Sequence, residues 1–553
     1  MTNPHDDYTS RGWLVATAAL AVLILVSFIP PIEAGGVSLR RASIIADLIT
    51  FDSDKAKEAE QMEAAPEINV EEFEVDLAQV AKQVAQTTAT ASPFGEGTSA
   101  SWEGIFDEQP TGGEQEVDDE PLPSLEALLK ADYSDILPAD SLITSIEEFR
   151  GEEFDTPMHR LYEKLLAGSD PVRVAFMGDS FVEGDILTAD LRELLQDTFH
   201  GGGVGYVPVA SPFTGFRQTV KTTSKGWTPY NIMQRKNTPE PYVNDYFVSG
   251  WVARASDGAS TRWDMVDKRR HLMECNRARL LFISREPSKI ILTLNDGEER
   301  EFEFDGSDVV RQIVVEEEQI RSLEMRVASG AAGFTGIGAD FDSTSGIAVD
   351  NFSVRSNNGQ AMFWSSASVN AQIHSMRPYD LVILQYGLNI MQADRHNYSL
   401  YGEQVEKMVR YVESCFPGAA VLVMGVSDRS QRNEQGIVPM TAAIDLSRAQ
   451  REAAERCGVA FWSTYDAMQR LGGMTAFVEN GWAGKDYTHI NYAGGREIAR
   501  QLYYALLQGA ESYSEALRAR IEFSTPVIRE PLPMTLPTPE PVTLQDSVIT
   551  IDR

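Results

Sequence analysis

The sequence predicts an α/β fold: a parallel sheet covered by helices on both faces, interrupted by an all-β insertion. Three observations predict it. Short β-branched runs alternate with helical patterns on either side of a central region. Within that region, from about Phe213 to Gly346, helical periodicity mostly vanishes. Beyond it the strand–helix rhythm resumes, and the sheet needs both flanking pieces, so the β module reads as an insertion within one domain.

The first 34 residues are expected to form a transmembrane signal anchor. Gly12 to Ile32 carries no charge, and its apolar heart "WLVATAALAVLILVSFI" is long enough to cross a hydrocarbon core. Arg11 just before it fits a cytoplasmic N-terminus. "IEA" ending at Ala34 has the small-residue character of a cleavage site, so a cleaved signal peptide is the rival reading. Either way the bulk of the chain is exported.

Residues 35–150 read as an acidic, largely disordered tether. Positions 51–150 hold 25 acidic against 5 basic residues, most of the net charge of −34. Such a run is a solvated, self-repelling spacer, with one short helix expected around Val70–Ala85. No basic stripe is available to neutralise phosphates, which excludes nucleic acid as a ligand. Three cysteines without ligand-like spacing offer neither a disulfide framework nor a structural zinc site, and no metal or organic cofactor is expected.

The α/β domain opens over residues 151–212. Asp155 or Thr156 can cap a helix, Pro157 suits its first turn and Gly168 ends it. "VRVAFM" from Val172 is a buried strand. After a turn, Leu187, Leu191, Leu194, Leu195 and Phe199 fall at helical spacing. The insertion, residues 213–346, holds runs such as "KIILTLNDGEEREFEF" separated by turn residues, as in a sandwich or jelly roll. The second α/β part, residues 347–510, contributes strands "DLVILQYG", "AAVLVMGVSD" and "VAFWSTYD". Its helices are expected at Tyr401–Cys415, Ala442–Cys457 and Ala493–Leu507. Residues 511–553 are expected to be a Pro-rich, extended tail.

The chemistry centres on "MGDSFVEGD". Ser180 follows the strand and opens the next helical segment, so it reads equally as a nucleophile and as a helix cap. A nucleophilic serine needs a base, and the base needs an orienting partner. Of seven histidines, His489 alone has an acid in a suggestive local frame: "KDYTHINYAGG" places Asp486 three residues before it. That spacing lets the carboxylate hold one ring nitrogen while the other faces Ser180. The "QYGLN" stretch puts Asn389 at the end of a predicted central strand, where ligand sites of open α/β sheets gather.

Gly178-Asp179-Ser180, Gly387-x-Asn389 and Asp486-x-x-His489 occur in the order of the SGNH (GDSL-type) hydrolase family, which the chain resembles from Arg173 to Leu507. The frame "GDSFVEGDILTADLRELLQDTFHGGGVGYVP" resembles the subgroup of peptidoglycan and polysaccharide O-acetylesterases, which also carry an inserted β-sandwich. The resemblance implies a flavodoxin-like three-layer domain. It implies Ser180 as nucleophile, His489 as general base and Asp486 as its orienting acid. The backbone N–H of Ser180 and the side chain of Asn389 would line the oxyanion hole. A further family motif supplies a glycine N–H there; its match, "VDNFSVRSNNGQ", has Ser356 in the glycine position, a departure from the pattern.

The activity implied is hydrolysis of an O-acetyl ester on a cell-wall or surface glycan, by a protein held in the bacterial inner membrane facing the periplasm, or secreted if its signal is cleaved. Two other readings stay open: an O-acetyltransferase supplied by a membrane acyl-transfer partner, and an inactive glycan-binding or scaffold protein. Trp227, Trp251 and Trp263, in or beside the insertion, are candidates for docking a sugar chain, with core packing as the alternative for each.

Overall fold

The computed structural model describes residues 33–34, 37–38, 74–90, 99–101, 125–149 and 155–524. The expected transmembrane segment lies outside the described residues, except that Glu33–Ala34 pairs antiparallel with Val37–Ser38. Among the described residues no helix is long and apolar enough to cross a membrane.

Five parallel strands form the central sheet: β1 Val172–Gly178, β2 Ile347–Ser353, β3 Leu381–Gln385, β4 Ala420–Met424 and β5 Ala460–Trp462. Their order is β2-β1-β3-β4-β5, so the chain starts inside the sheet and reverses direction there. In such an order the ligand crevice lies beyond the carboxyl ends of the strands at the reversal. Every residue of β1, β3 and β4 is buried, as expected of strands covered on both faces. One helical layer holds α1 Pro157–Ala167, α2 Thr188–Phe199 and α6 Tyr492–Ser524; the other holds α3 Ala367–Met376, α4 Ser399–Cys415 and α5 Ala442–Cys457.

Local chemistry explains the boundaries. The Thr156 hydroxyl accepts from His159 N–H at 3.1 Å, Pro157 occupies the first helical position, and Gly168 closes α1 at φ 64°. The last helix runs well past the expected end, so residues 511–524 are helix rather than extended tail. Gly509, inside that helix, serves close packing: a Cβ there would come within 2.3 Å of the Tyr162 hydroxyl.

The tether also needs correction where it is described. Helix Leu77–Thr90, shifted from the expected Val70–Ala85, buries Val80 and Val84 against α3 and α4. Ser99–Ser101 pairs in parallel with Gln312–Val314 of the insertion. Glu147 exchanges backbone bonds with Phe461 at 2.9 Å each way, extending the sheet beyond β5, and Trp462 donates to the Thr144 carbonyl at 2.7 Å. These contacts dock the described stretches on the α/β domain and its insertion.

The insertion is one connected ten-stranded sheet, antiparallel except for the Ser99–Ser101 strand, folded over its own core of Phe282, Phe334, Phe341 and Leu323. It begins earlier than residue 213, because Gly205–Pro208 already pairs with Gly338–Phe341. A buried ion network joins it to the α/β domain. Arg377, 1% exposed, reaches Asp340 at 3.0 Å, Asp342 at 3.3 Å and Asp350 of β2, while Arg173 of β1 meets Asp342 at 3.3 Å.

Trp263 is fully buried in the insertion core, and Trp227 packs against the same core with its ring 6.1 Å from that of Phe334. Core packing therefore accounts for Trp263. Trp251, itself largely buried, lines a cleft.

Candidate active site

Ser180 follows the carboxyl end of β1, two residues beyond Gly178, and is part-exposed at the crevice. The turn that carries it is held from below. Asp179 is completely buried; its Oδ1 accepts from Phe181 N–H at 2.9 Å, and its carbonyl accepts from Val182 and Glu183 N–H at 3.2 Å. A side chain at Gly178 would strike Val182 at 2.7 Å, so only glycine lets the turn fold back on the strand.

Asp486 and His489 share one tight loop. His489 Nδ1 lies 2.8 Å from Asp486 Oδ2, while the other carboxylate oxygen accepts the backbone N–H groups of Thr488 and His489 at 3.1 Å. Burial pushes the Asp486 carboxyl up, but the hydrogen bonds and charge of His489 outweigh it and hold the group at about 2. Gly484 N–H bonds the His489 carbonyl at 2.8 Å, and Ala483 bridges Ile490, closing the loop at its base. Tyr487, between Asp486 and His489, sits at φ 55°, a left-handed conformation costly for an aromatic residue. Its carbonyl accepts from Ser430 N–H at 3.1 Å, and Arg429 donates to Thr488 at 3.0 Å, bracing the strained turn.

One tyrosine joins the two halves. The Tyr492 hydroxyl, at the start of α6 and three residues past His489, lies 2.9 Å from the Gly184 carbonyl and 2.8 Å from the Phe216 carbonyl. Gly495 of the same helix lies so close to the Ile186 carbonyl that a Cβ would meet it at 1.9 Å. His489 is near enough for its charge to act on Asp179. No direct hydrogen bond links Ser180 to His489 among the described residues. Catalytic hydrogen bonds are often long in an unliganded site and tighten when substrate binds.

Asn389 sits just beyond the end of β3. Its amide nitrogen lies 2.9 Å from Asp179 Oδ2 and 2.9 Å from the Asn357 carbonyl, so both its hydrogens have protein acceptors. An incoming oxyanion must displace or share one of them. Ser356 lies in the loop after β2, exposed, at φ 61°. Ser356 therefore holds a backbone conformation that glycine favours. Gly359, the nearby glycine, points away from the crevice: a Cβ there would strike Met408 Sδ at 2.3 Å.

Several supporting residues were not read from the sequence. Asp185, buried and at φ 66°, binds Arg192 at 3.3 Å, Arg217 at 3.1 Å, Thr188 at 2.8 Å and Thr219 at 2.6 Å. Asn351 donates from β2 to the Val182 carbonyl at 2.9 Å, fixing the far side of the turn. The Gly184-Asp185 pair in "FVEGD" was the available sign of a left-handed turn. Among the described residues no cluster of three metal-ligating side chains occurs, and the three cysteines are buried and unpaired.

The sequence matches no family model and no curated protein. Among solved structures, it is similar to a peptidoglycan O-acetylesterase at 22% identity, with 68% of this chain and 99% of that one covered and a TM-score of 0.54. A family two carbohydrate esterase from Cellvibrio japonicus aligns at 10% identity over 53% of this chain and 98% of its own, with a TM-score of 0.23. A lipase/acylhydrolase from Enterococcus faecalis aligns at 15% identity over 30% of this chain and 77% of its own, also with a TM-score of 0.23. Only the first of these likenesses bears on the fold.

Proposed function

We propose that this chain, whose α/β domain carries the SGNH hydrolase fold, is a serine esterase that removes O-acetyl groups from an envelope glycan. The observation that carries the proposal is the Asp486–His489 pair at 2.8 Å, on a loop bolted through Tyr492 to the turn that bears Ser180. With Nδ1–H donating to Asp486, the His489 Nε2 lone pair is left for the Ser180 hydroxyl. Ser180 Oγ attacks the acetyl carbonyl as Nε2 takes its proton. The tetrahedral oxyanion is met by the Ser180 and Ser356 N–H groups and by Asn389, once its amide exchanges a protein acceptor for the substrate. His489 then returns the proton to the departing sugar hydroxyl. Water, deprotonated in turn by His489, attacks the acetyl-enzyme; the ester to Ser180 Oγ breaks, Oγ takes the proton back from His489, and acetate leaves.

The glycan substrate is inferred from the likeness to a peptidoglycan O-acetylesterase. Placement in the envelope is inferred from the uncharged stretch Gly12–Ile32. The test compares the wild-type chain with Ser180→Ala on an activated acetyl ester and on O-acetylated peptidoglycan. Loss of the nucleophile is expected to cost at least about 10³-fold in turnover. Equal, slow acetate release by both proteins sinks the esterase reading. Acetate appearing on an added glycan instead of in solution reassigns the same site to acyl transfer.

A further inference from the structure

We propose that the cleft next to the Ser180 turn is a saccharide subsite in which the exposed face of Phe216 carries one pyranose ring of the acylated glycan. The inference rests on the esterase reading for the identity of the chain that enters, but not for the existence of the subsite.

The cleft is shallow and open to solvent, with a cavity volume of about 50 Å³, and is lined by Glu183, Phe213, Trp251 and Ser353, among others. It adjoins the nucleophile, because Ser353 pairs with Gly178 in the sheet and Glu183 lies three residues after Ser180. Phe216 does not line the cleft itself but sits between the lining residues Thr214 and Arg217, with 63% of its surface exposed, unusual for so large an apolar side chain. It is rooted against the same turn: a Cβ added at Gly184 would meet Phe216 Cβ at 3.8 Å.

The exposed ring is not on a loose loop. Phe216 N–H bonds the Phe213 carbonyl at 3.1 Å, and its own carbonyl accepts from Tyr492 at 2.8 Å. The next residue, Arg217, is tied to Asp185 at 3.1 Å and to the Tyr206 carbonyl at 2.5 Å. The Phe213 ring stacks on Phe216 with centroids 6.2 Å apart and planes inclined 29°, and meets Trp251 edge-on at 5.9 Å. On Phe213 sits the Arg355 guanidinium, 4.3 Å from the centroid, paired with Glu183 at 2.5 Å. The result is a preorganised aromatic shelf beside a charged, hydrogen-bonding rim.

A pyranose fits such a surface chemically. Its axial C–H groups make an apolar face for an aromatic ring, while its equatorial hydroxyls face outward to donors and acceptors. A lipid surface fits less well, since one exposed ring is flanked by an ion pair that would be expensive to bury in hydrocarbon.

The test uses the full chain carrying Ser180→Ala, so that no ester is consumed. It is titrated with a tetrasaccharide cut from peptidoglycan glycan strands, and separately with anionic phospholipid vesicles. Adding Phe216→Ala is expected to weaken tetrasaccharide binding about tenfold, from loss of one stacked ring. Phe216→Tyr is expected to restore it, and circular dichroism with thermal melts confirms that each variant is folded. The proposal is overturned if Phe216→Ala leaves tetrasaccharide affinity unchanged, if no tetrasaccharide binds, or if Phe216 governs vesicle binding alone. Failure of the esterase reading appears elsewhere, as equal acetate release with and without Ser180, and leaves the sugar titration standing.

Discussion

Asp179 and Asp185 lie six residues apart on either side of the same turn, both fully buried, and their acidities move in opposite directions. Burial raises Asp179 to about 7, only partly offset by the Phe181 N–H, the charge of His489 and the Asn389 amide. Burial raises Asp185 too, but the charges of Arg192 and Arg217 overwhelm it and hold the group well below the carboxylate range. The desolvation is shared; the partners differ. Two guanidinium groups make the Asp185 end a permanently charged clamp. Neutral amides leave the Asp179 end able to change charge close to neutral pH, directly beneath Ser180 and against Asn389.

The largest way to break this contrast is Asp185→Ala. It strands Arg192 and Arg217, 1% and 8% exposed, without their counter-charge, and orphans Thr188 and Thr219. The expected loss is about 3–5 kcal/mol of unfolding free energy, measured by denaturant titration. A loss under about 1 kcal/mol would mean that the clamp carries little of the turn's stability.

Asp179→Asn sharpens the same contrast through pH. A carboxyl raised to about 7 keeps its proton in the folded chain after the unfolded chain has lost its own. Its favourable contribution is therefore complete below about pH 4, falls as pH rises towards 7, and is absent above. The variant has no such titration. The stability difference between Asp179→Asn and wild type is expected to grow between pH 4 and 7 in favour of the variant, by at most about 4 kcal/mol. A difference that stays flat with pH refutes the raised pKa of Asp179. No matching experiment at Asp185 should show a slope in this range, since its folded value lies below the window.

These two aspartates also mark how far sequence reading reaches. The strand before Ser180, the α1 caps, the Asp486–His489 spacing and the interrupted sheet were all legible, because each depends on neighbours close in the chain. The opposite fates of Asp179 and Asp185 were not, since Arg217 and Asn389 arrive from far along the sequence. Asn389 was placed at the right strand end, but its double tie to Asp179 and Asn357 depends on loop geometry that no motif encodes. Gly509 likewise serves a contact with Tyr162, from far along the chain, that its local sequence does not announce. The acidic composition of residues 35–150 concealed short apolar sets, such as Val80 and Val84, that dock on α3 and α4.

Tyr492→Phe probes the link between the turn and the histidine loop with a smaller effect. It removes the donor shared by the Gly184 and Phe216 carbonyls, and the expected cost is about 1 kcal/mol of stability. The informative measurement is turnover against stability. If Tyr492 sets the position of α6 and His489 relative to Ser180, kcat falls more than KM rises, while the fold remains intact. Equal, slight changes in both would reduce Tyr492 to an ordinary surface hydrogen bond.

The smallest expected effect tests the other end of the crevice, at Ser356. Its φ of 61° asks an L-residue to occupy the left-handed region, at a cost of about 1 kcal/mol that glycine does not bear. Its exposure leaves no packing to lose on truncation. Glycine also frees the unfolded chain, which offsets part of the gain. Ser356→Gly is therefore expected to stabilise the protein by no more than about 0.5 kcal/mol. Turnover should stay within about twofold of wild type, because the backbone N–H is retained. Ser356→Pro removes that N–H and cannot adopt a positive φ. If the N–H faces the oxyanion, proline lowers kcat and glycine does not. If proline and glycine behave alike in turnover, the loop after β2 contributes no donor, and the oxyanion is left to Ser180 and Asn389.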